Sequence, residues 1–451
     1  MKKLLVANRG EIAVRITRTA HEMGISVVAV VSESDKESYA AELADEVIVI
    51  GPAPAGLSYL NHDAVLKAAA DSGADAVHPG YGFLSENAEF ARKVIDKGLI
   101  WVGPSPESIE LMGNKARARA AAIDARVPTL RGTEGALRDG DDIEAIAAEI
   151  GYPLVVKASA GGGGRGIRLV AHPADLVSTV AIAQAEALAA FNSSDVYFEL
   201  FVTKARHVEV QVFGDGETYV HMGDRDCSMQ RRQQKVLEEA PAPGLPDHVR
   251  QRMRDSAVEL ARQTAYVGAG TVEFLYNPET EEVSFIEMNT RLQVEHPITE
   301  AITGIDLVRE QLRIASGERL GYTQKDITFT GHALEFRINA EDPSNNFMPS
   351  PGVISSLRLP GGPGVRADFG FIAGNVVAPF YDSLLGKIIV WAPTREHAIL
   401  RAERVLDEVR IEGIKTTAGL LRTLVSLADF RHVTHHTTYI ESVPHLLEVS
   451  V

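Results

Sequence analysis

The first hundred residues set short, wholly apolar runs between stretches of helical spacing, and that alternation narrows the fold more than any other feature. LLVA at 4–7, VVAVV at 27–31 and VIVI at 47–50 have no polar face. Such runs read as strands of a parallel sheet buried on both sides by helices. Ile12, Ala13, Ile16, Ala20 and Met23 fall at helical spacing, and AVHPG at 76–80 and LIWVG at 99–103 repeat the cycle. An α/β domain with an open parallel sheet follows. Its first turn, NRGE at 8–11, lacks the GxGxxG of a dinucleotide site. Glu11 would oppose an anion at the helix start. That leaves either a cap and tight turn, or a substrate-side role for Arg15.

After a helical stretch near 113–126, LVVK at 154–157, a glycine loop, GIRLV at 166–170, a helix near 174–190 and VYFELF at 196–201 make a β-β-α-β unit. HVEVQVF at 207–213 alternates, with Val208, Val210 and Val212 opposite His207, Glu209 and Gln211. TVEFLY at 271–276 and VSFIEMN at 283–289 read as a hairpin closed by NPETEE. From 331 a smaller, strand-rich section opens with HALEFRINAED, where Leu334, Phe336 and Ile338 oppose Glu335, Arg337 and Asn339; a helix follows near 394–409. A chain of 451 residues has room for about three domains.

The net charge of −16, from 45 basic and 61 acidic residues, argues against non-specific binding to nucleic acid or anionic membranes. One cysteine, Cys227, excludes an intramolecular disulfide and a Cys-rich zinc site. LLVA before Asn8 and Arg9 is too short for a signal-peptide core, and no uninterrupted apolar run reaches membrane-spanning length. The cytoplasm is expected.

Chemistry concentrates in FIEMNTRLQVEHPITE at 285–300. Glu287, Asn289 and Arg291, two residues apart, share a face if the strand is extended. Oxygen ligands beside a guanidinium suit a magnesium-bound phosphate. Glu273 on the neighbouring strand adds a second carboxylate, while Val272, Phe274 and Ile286 are expected to face the other way. The loop SAGGGGRG at 159–166, with Lys157 at its start and Arg165 and Arg168 entering the next strand, suits a lid over a polyphosphate. Arg225, Arg231, Arg232 and Lys235 suggest a pocket for a small anion, or a charged surface loop. Cys227 among them is a weak nucleophile candidate. His207, His221 and His296 lack zinc-site spacing.

Together these residues resemble the biotin carboxylases, a branch of the ATP-grasp enzymes. The landmarks are ANRGEIAVRI at 7–16, HPGYGFLSEN at 78–87, the glycine loop, RDCSMQRR at 225–232, EMNTRLQVEHPITE at 287–300 and PSPG at 349–352. The resemblance implies an N-terminal α/β domain over 1–113, an ATP-grasp domain over 114–330 with a mobile lid at about 131–203, and a strand-rich domain over 331–451. It implies ATP-dependent carboxylation of biotin by bicarbonate through carboxyphosphate. Lys115, Lys157, His207, Gln230 and Gln233 would hold ATP, and Glu199 and the backbone near Val202 would receive adenine. Gly161, Gly162, Gly163, Gly164, Arg165 and Gly166 would close over the phosphates. Glu273, Glu287 and Asn289 would bind Mg²⁺ or Mn²⁺. Lys235, Arg291, Gln293 and Val294 would cradle bicarbonate, with Glu295 as its base. Arg337 would stabilise the enolate-like charge of biotin.

Three positions depart from the family pattern: Gln233 stands where histidine is common, Leu200 where lysine is frequent, and Ala160 for a loop glycine. No Met-Lys-Met-type biotinyl site occurs. The resemblance therefore implies a free-standing subunit, a homodimer, served by a biotin carboxyl carrier and working with a carboxyltransferase. Another ATP-grasp carboxylate–amine ligase, or a non-catalytic nucleotide-binding subunit, are the rival readings.

Overall fold

The computed structural model describes residues 1–133, 135–138, 140–159, 166–443 and 446. Gly161 to Gly164, Arg165 and Ala160 lie outside the described residues. The N-terminal runs form Lys3–Val6 (β1), Ser26–Ser32 (β2), Glu46–Gly51 (β3), Ala76–His78 (β4) and Ile100–Trp101 (β5). They pair in parallel in the order β3-β2-β1-β4-β5. Helix Gly10–Glu22 (α1) packs Ile12, Ala13 and Ile16 on one face. VIVI does not behave as a fully buried strand. β3 is the sheet edge, and Val47 and Val49 are exposed on the side where α1 covers only β1 and β2.

Helix Lys115–Asp124 (α2) leads toward the β-β-α-β unit, made of Leu154–Ala158 (β6), Ile167–Val170 (β7), Leu176–Phe191 (α3) and Val196–Leu200 (β8). Its strands run antiparallel in the order β7-β6-β8. Leu176, Val180, Ala183 and Ala187 of α3 pack on them. Gly166 enters β7 with φ +76°, and a Cβ there would lie 2.8 Å from the Ala158 Cβ, so both backbone shape and space call for glycine. The stretch 173–191 is, among the described residues, long and apolar enough to cross a membrane by length and composition. Asp175 and Glu186 interrupt it, so the sequence showed no continuous run.

The longer remaining strands are Arg206–Asp215 (β9), Tyr219–Arg231 (β10), Gln234–Ala240 (β11), Val267–Asn277 (β12), Glu282–Asn289 (β13), His332–Asn339 (β14), Val365–Phe369 (β15) and Leu384–Ala392 (β16). They form one eight-stranded antiparallel sheet, β13-β12-β9-β10-β11-β14-β16-β15. Pairing of β11 with β14 thus carries the central sheet into the C-terminal region, which adds three short two-stranded sheets of its own. Helix Asp247–Gln263 (α4) packs Val249, Met253 and Leu260 beneath Val208, Val210 and Val212. Helix His296–Thr303 (α5) lays Ile298 and Ile302 over Ala240, Ala333 and Ile389 on the opposite face. Arg395–Glu408 (α6) closes the C-terminal core with Ile399, Ala402 and Leu406.

Candidate active site

Strand register builds the site. Glu273 of β12 lies directly opposite Glu287 of β13, so their carboxylates leave the sheet on one side. β9 adds Glu209 opposite Glu273 and His207 opposite Leu275. β11 contributes Lys235 and β14 contributes Arg337. Beyond β13 the chain carries Arg291, Gln293 and Val294 over the same side, and Glu295 occupies the N-cap of α5. A cleft of about 1090 Å³ opens there. It is lined by Lys115, Lys157, Val202, His207, Gln230, Gln233, Lys235, Glu273, Glu287, Asn289, Arg291, Gln293, Val294 and Arg337. Glu199 and Glu295 stand behind this lining. Glu199 is closely ion-paired to Lys157 and lies 3.3 Å from Arg119.

Lys235 is the electrostatic hub. Its Nζ donates to Glu209 at 2.6 Å, Glu295 at 2.7 Å and Glu273 at 3.0 Å. Burial opposes its charge, but Cys227 and the three carboxylates outweigh that and raise its pKa well above the usual lysine value. Burial alone would raise the Glu295 carboxyl; Lys235, Arg337 and Arg225 instead hold it well below the carboxylate range. Arg337 bridges Glu238 at 2.5 Å and Glu295 at 2.9 Å. Burial lifts Glu238 to about 7 against the pull of Arg337. Arg291 pairs with Glu86 at 3.0 Å and donates to Gln293 Oε1 at 2.9 Å.

Glu273, Glu287 and Asn289 offer oxygen ligands of the kind a hard divalent cation takes. Glu287 is partly open to the cleft, with Lys115 Nζ 3.7 Å away. Glu273 is taken up by protein donors: Asn289 at 2.7 Å, Gln293 and Lys235 at 3.0 Å, and His207 at 2.9 Å. Burial opposes ionisation of Glu273, yet Lys235 and His207 hold its pKa far below normal. His207, Glu209 and Glu273 also bring one ligand atom each within 4.8 Å of one another.

Several expectations need correction. A bulge after Glu273 shifts the β12–β13 register, so Ile286 turns into the cleft instead of joining Val272 and Phe274 in the core. Arg168 pairs with exposed Glu186 of α3, away from the loop base. Of the cations at 225–235, only Lys235 reaches the cleft. Arg225 is fully buried among Glu209, Gln211, Thr271 and Thr299. Arg231 lies over Phe347 at 3.8 Å, and the Arg232 backbone N–H donates to Glu441. A left-handed turn at Arg232 and Gln233 joins β10 to β11; Gln233 stays at the cleft while Arg231 and Arg232 both reach Asn346. Arg15 pairs with Glu300 and Asp306, each at 2.8 Å, and does not line the cleft.

Burial raises the Cys227 thiol well above its usual pKa, with Glu209 adding to the effect, so it is a poor nucleophile. His221 is lowered to about 4 by burial and by Arg254, and its ring stacks on Phe329. His296 is fully buried with Nδ1 2.8 Å from the Gln293 carbonyl. Sequence reasoning gave no role to Glu209, Glu86 or Glu238. Strand alternation had put Glu209 beside His207, but nothing local announced the partners of the other two.

The matching family descriptions run in order along the chain. "Biotin carboxylase, N-terminal domain" covers 1–109, "Carbamoyl-phosphate synthase L chain, ATP binding domain" covers 114–323, and "Biotin carboxylase C-terminal domain" covers 335–442. A biotin carboxylase of Pseudomonas aeruginosa is 51% identical over 95% of this chain and 96% of its own. A chloroplastic biotin carboxylase of Arabidopsis thaliana is 51% identical over 97% of this chain and 82% of its own. Among solved structures, the biotin carboxylase domain dimer of Hydrogenobacter thermophilus 2-oxoglutarate carboxylase, bound to MgADP, ADP and bicarbonate, superposes with a TM-score of 0.94. It is 46% identical and covers 99% of this chain and 98% of its own. With an ATP-grasp fold and relatives matching along its length, the chain belongs to the biotin carboxylase family.

Proposed function

We propose that, in carboxylating biotin with bicarbonate at the expense of ATP, the chain divides the work of its cleft among three groups of residues. Lys115, Lys157, His207, Gln230 and Gln233 hold the nucleotide, and Glu199 with the backbone near Val202 receives adenine. Gly166 and the loop before it close over the phosphates. Glu273, Glu287 and Asn289 hold Mg²⁺ or Mn²⁺, which supplies charge neutralisation for phosphoryl transfer. Lys235, Arg291, Gln293 and Val294 cradle bicarbonate, and Arg337 faces biotin. The observation that carries this reading is the single cluster joining Lys235, Glu295 and Arg337 beside the opposed Glu273 and Glu287.

Glu295 takes the proton of bicarbonate. The freed oxygen attacks the γ-phosphorus, the bond to ADP breaks, and carboxyphosphate forms. Its C–O cleavage gives CO₂ and phosphate; the released phosphate takes the ureido N–H proton of biotin, and the nitrogen attacks CO₂ to form the N–C bond. Lys235 and Arg337 keep Glu295 ionised before bicarbonate arrives. When Arg337 turns to the ureido oxygen, Glu295 loses one of these cations and becomes a stronger base. An always-charged guanidinium at that oxygen lowers the cost of the biotin anion.

The working units are 1–113, 114–330 with a lid at about 131–203, and 331–451. Biotin arrives on a carboxyl carrier protein or domain and leaves to a carboxyltransferase subunit; the chain is a homodimer of the cytoplasm. The dimeric Hydrogenobacter domain supports the oligomer. Bicarbonate-dependent ADP release, with and without free biotin, tests the reading. Stimulation by both and its loss in Glu287→Gln are expected. Release that ignores both would favour a carboxylate–amine ligase, and turnover untouched by Glu287→Gln would remove the metal assignment.

A further inference from the structure

We infer that Lys387, which does not itself line the cleft, is the positioning residue that fixes the bicarbonate cradle. The inference rests on the reading of Val294 and Glu295 as parts of that cradle. Lys387 lies mid-strand in β16, directly across from Arg337 on β14 and Asp368 on β15. Its side chain is fully buried. The ammonium donates to the Val294 carbonyl at 2.5 Å and lies 3.1 Å from Glu11 Oε1. Glu11 opens α1, and its carboxylate also accepts from the Tyr81 hydroxyl.

A buried ammonium is unfavourable unless its protons find acceptors. An apolar side chain at 387 would fill the same core without that cost. The lysine instead joins three distant stretches: the first helix, the loop before α5, and the strand beside Arg337. The Val294 carbonyl belongs to the peptide that leads into Glu295. Holding that carbonyl from beneath fixes the peptide's rotation, and with it the direction in which Glu295 meets Lys235 and Arg337. Val294 lies between β13 and α5 and has no strand partner to do this. A cradle atom displaced by a fraction of an ångström loses catalytic effect, so the tether acts on bicarbonate and not on nucleotide.

The test compares Glu11→Gln with the double variant Lys387→Met/Glu11→Gln, which removes the ammonium together with the carboxylate it directly pairs. The double variant is expected to lower kcat/KM for bicarbonate by about 10–100-fold, chiefly through KM, with ADP affinity unmoved. Glu11→Gln, which keeps the Lys387–Val294 bond, is expected to retain most of the bicarbonate affinity. Equal bicarbonate KM in the two variants would overturn the inference, as would parallel loss of ADP affinity or failure of the double variant to fold. Wild-type ADP release blind to bicarbonate and biotin would instead overturn the underlying reading.

Discussion

The eight-stranded sheet and the three-stranded unit on its edge solve opposite problems. In the large sheet, β9 is buried along its whole length and β10 nearly so, with helices on both faces. Its charges interlock: Arg225 alone bonds Glu209, Gln211, Thr271 and Thr299. The small unit has its own core, to which helix Ile143–Ile150 adds Ala147 and Ile150 beside α3, and an outer face that leaves Val177, Ile182 and Leu188 in solvent. The groups assigned to bond making stand on the rigid sheet. The small unit lends Lys157 and Glu199, long side chains that can follow a nucleotide in and out. On the proposed reading, the groups that must be held still and those that would move with a lid stand on separate sheets.

Breaking the rigid side should have the larger consequences. Glu295→Gln keeps a partner for Lys235 but cannot take a proton; turnover should fall about 10²–10⁴-fold while calorimetry finds ADP affinity near wild type. Arg225→Met leaves Glu209 buried without its guanidinium. Urea unfolding should show a loss of about 3–5 kcal/mol, and a loss near zero would mean that the network does not stiffen the sheet. Lys157→Met acts on the small unit and should weaken nucleotide binding by about 1.5–3 kcal/mol, with little change in turnover at saturating ATP.

Acid sharpens the contrast. Burial would raise Asp368, but Arg366 outweighs it and brings the carboxyl to about 2. A depressed carboxyl stabilises the fold above its ordinary value near 3.8, and that contribution fades as pH falls toward 2. Acid titration of wild type against Asp368→Asn should therefore show a gap of roughly 2 kcal/mol at neutral pH that closes in this window. The exposed Arg168–Glu186 pair of the small unit is screened by solvent, so it should add little at neutral pH and nothing once Glu186 is protonated.

Much of this was legible in the chain. Alternation in HVEVQVF and the two-residue spacing of Glu287, Asn289 and Arg291 put the right side chains on one side of a strand. Periodicity could not foresee the bulge that turns Ile286 into the cleft, because one extra residue flips a face without changing composition. It could not tell Arg225 from Lys235, since both alternate inward and only the depth of the sheet separates a buried ion pair from a cleft residue. β3 read as buried because its residues are apolar, and nothing in VIVI states that no helix covers its outer side. Long-range partners such as Glu86 with Arg291 and Glu238 with Arg337 depend on register between distant strands and loops, which no local pattern carries.

On the proposed reading, one cluster separates the handling of biotin from the holding of nucleotide. Arg337→Ala tests it by paired measurement of biotin-dependent ADP release and ADP affinity on the same preparation. Biotin-dependent turnover is expected to fall about 10²–10³-fold with ADP affinity retained. Equal loss of both would contradict it, making Arg337 part of the fold instead of the biotin side of the cleft.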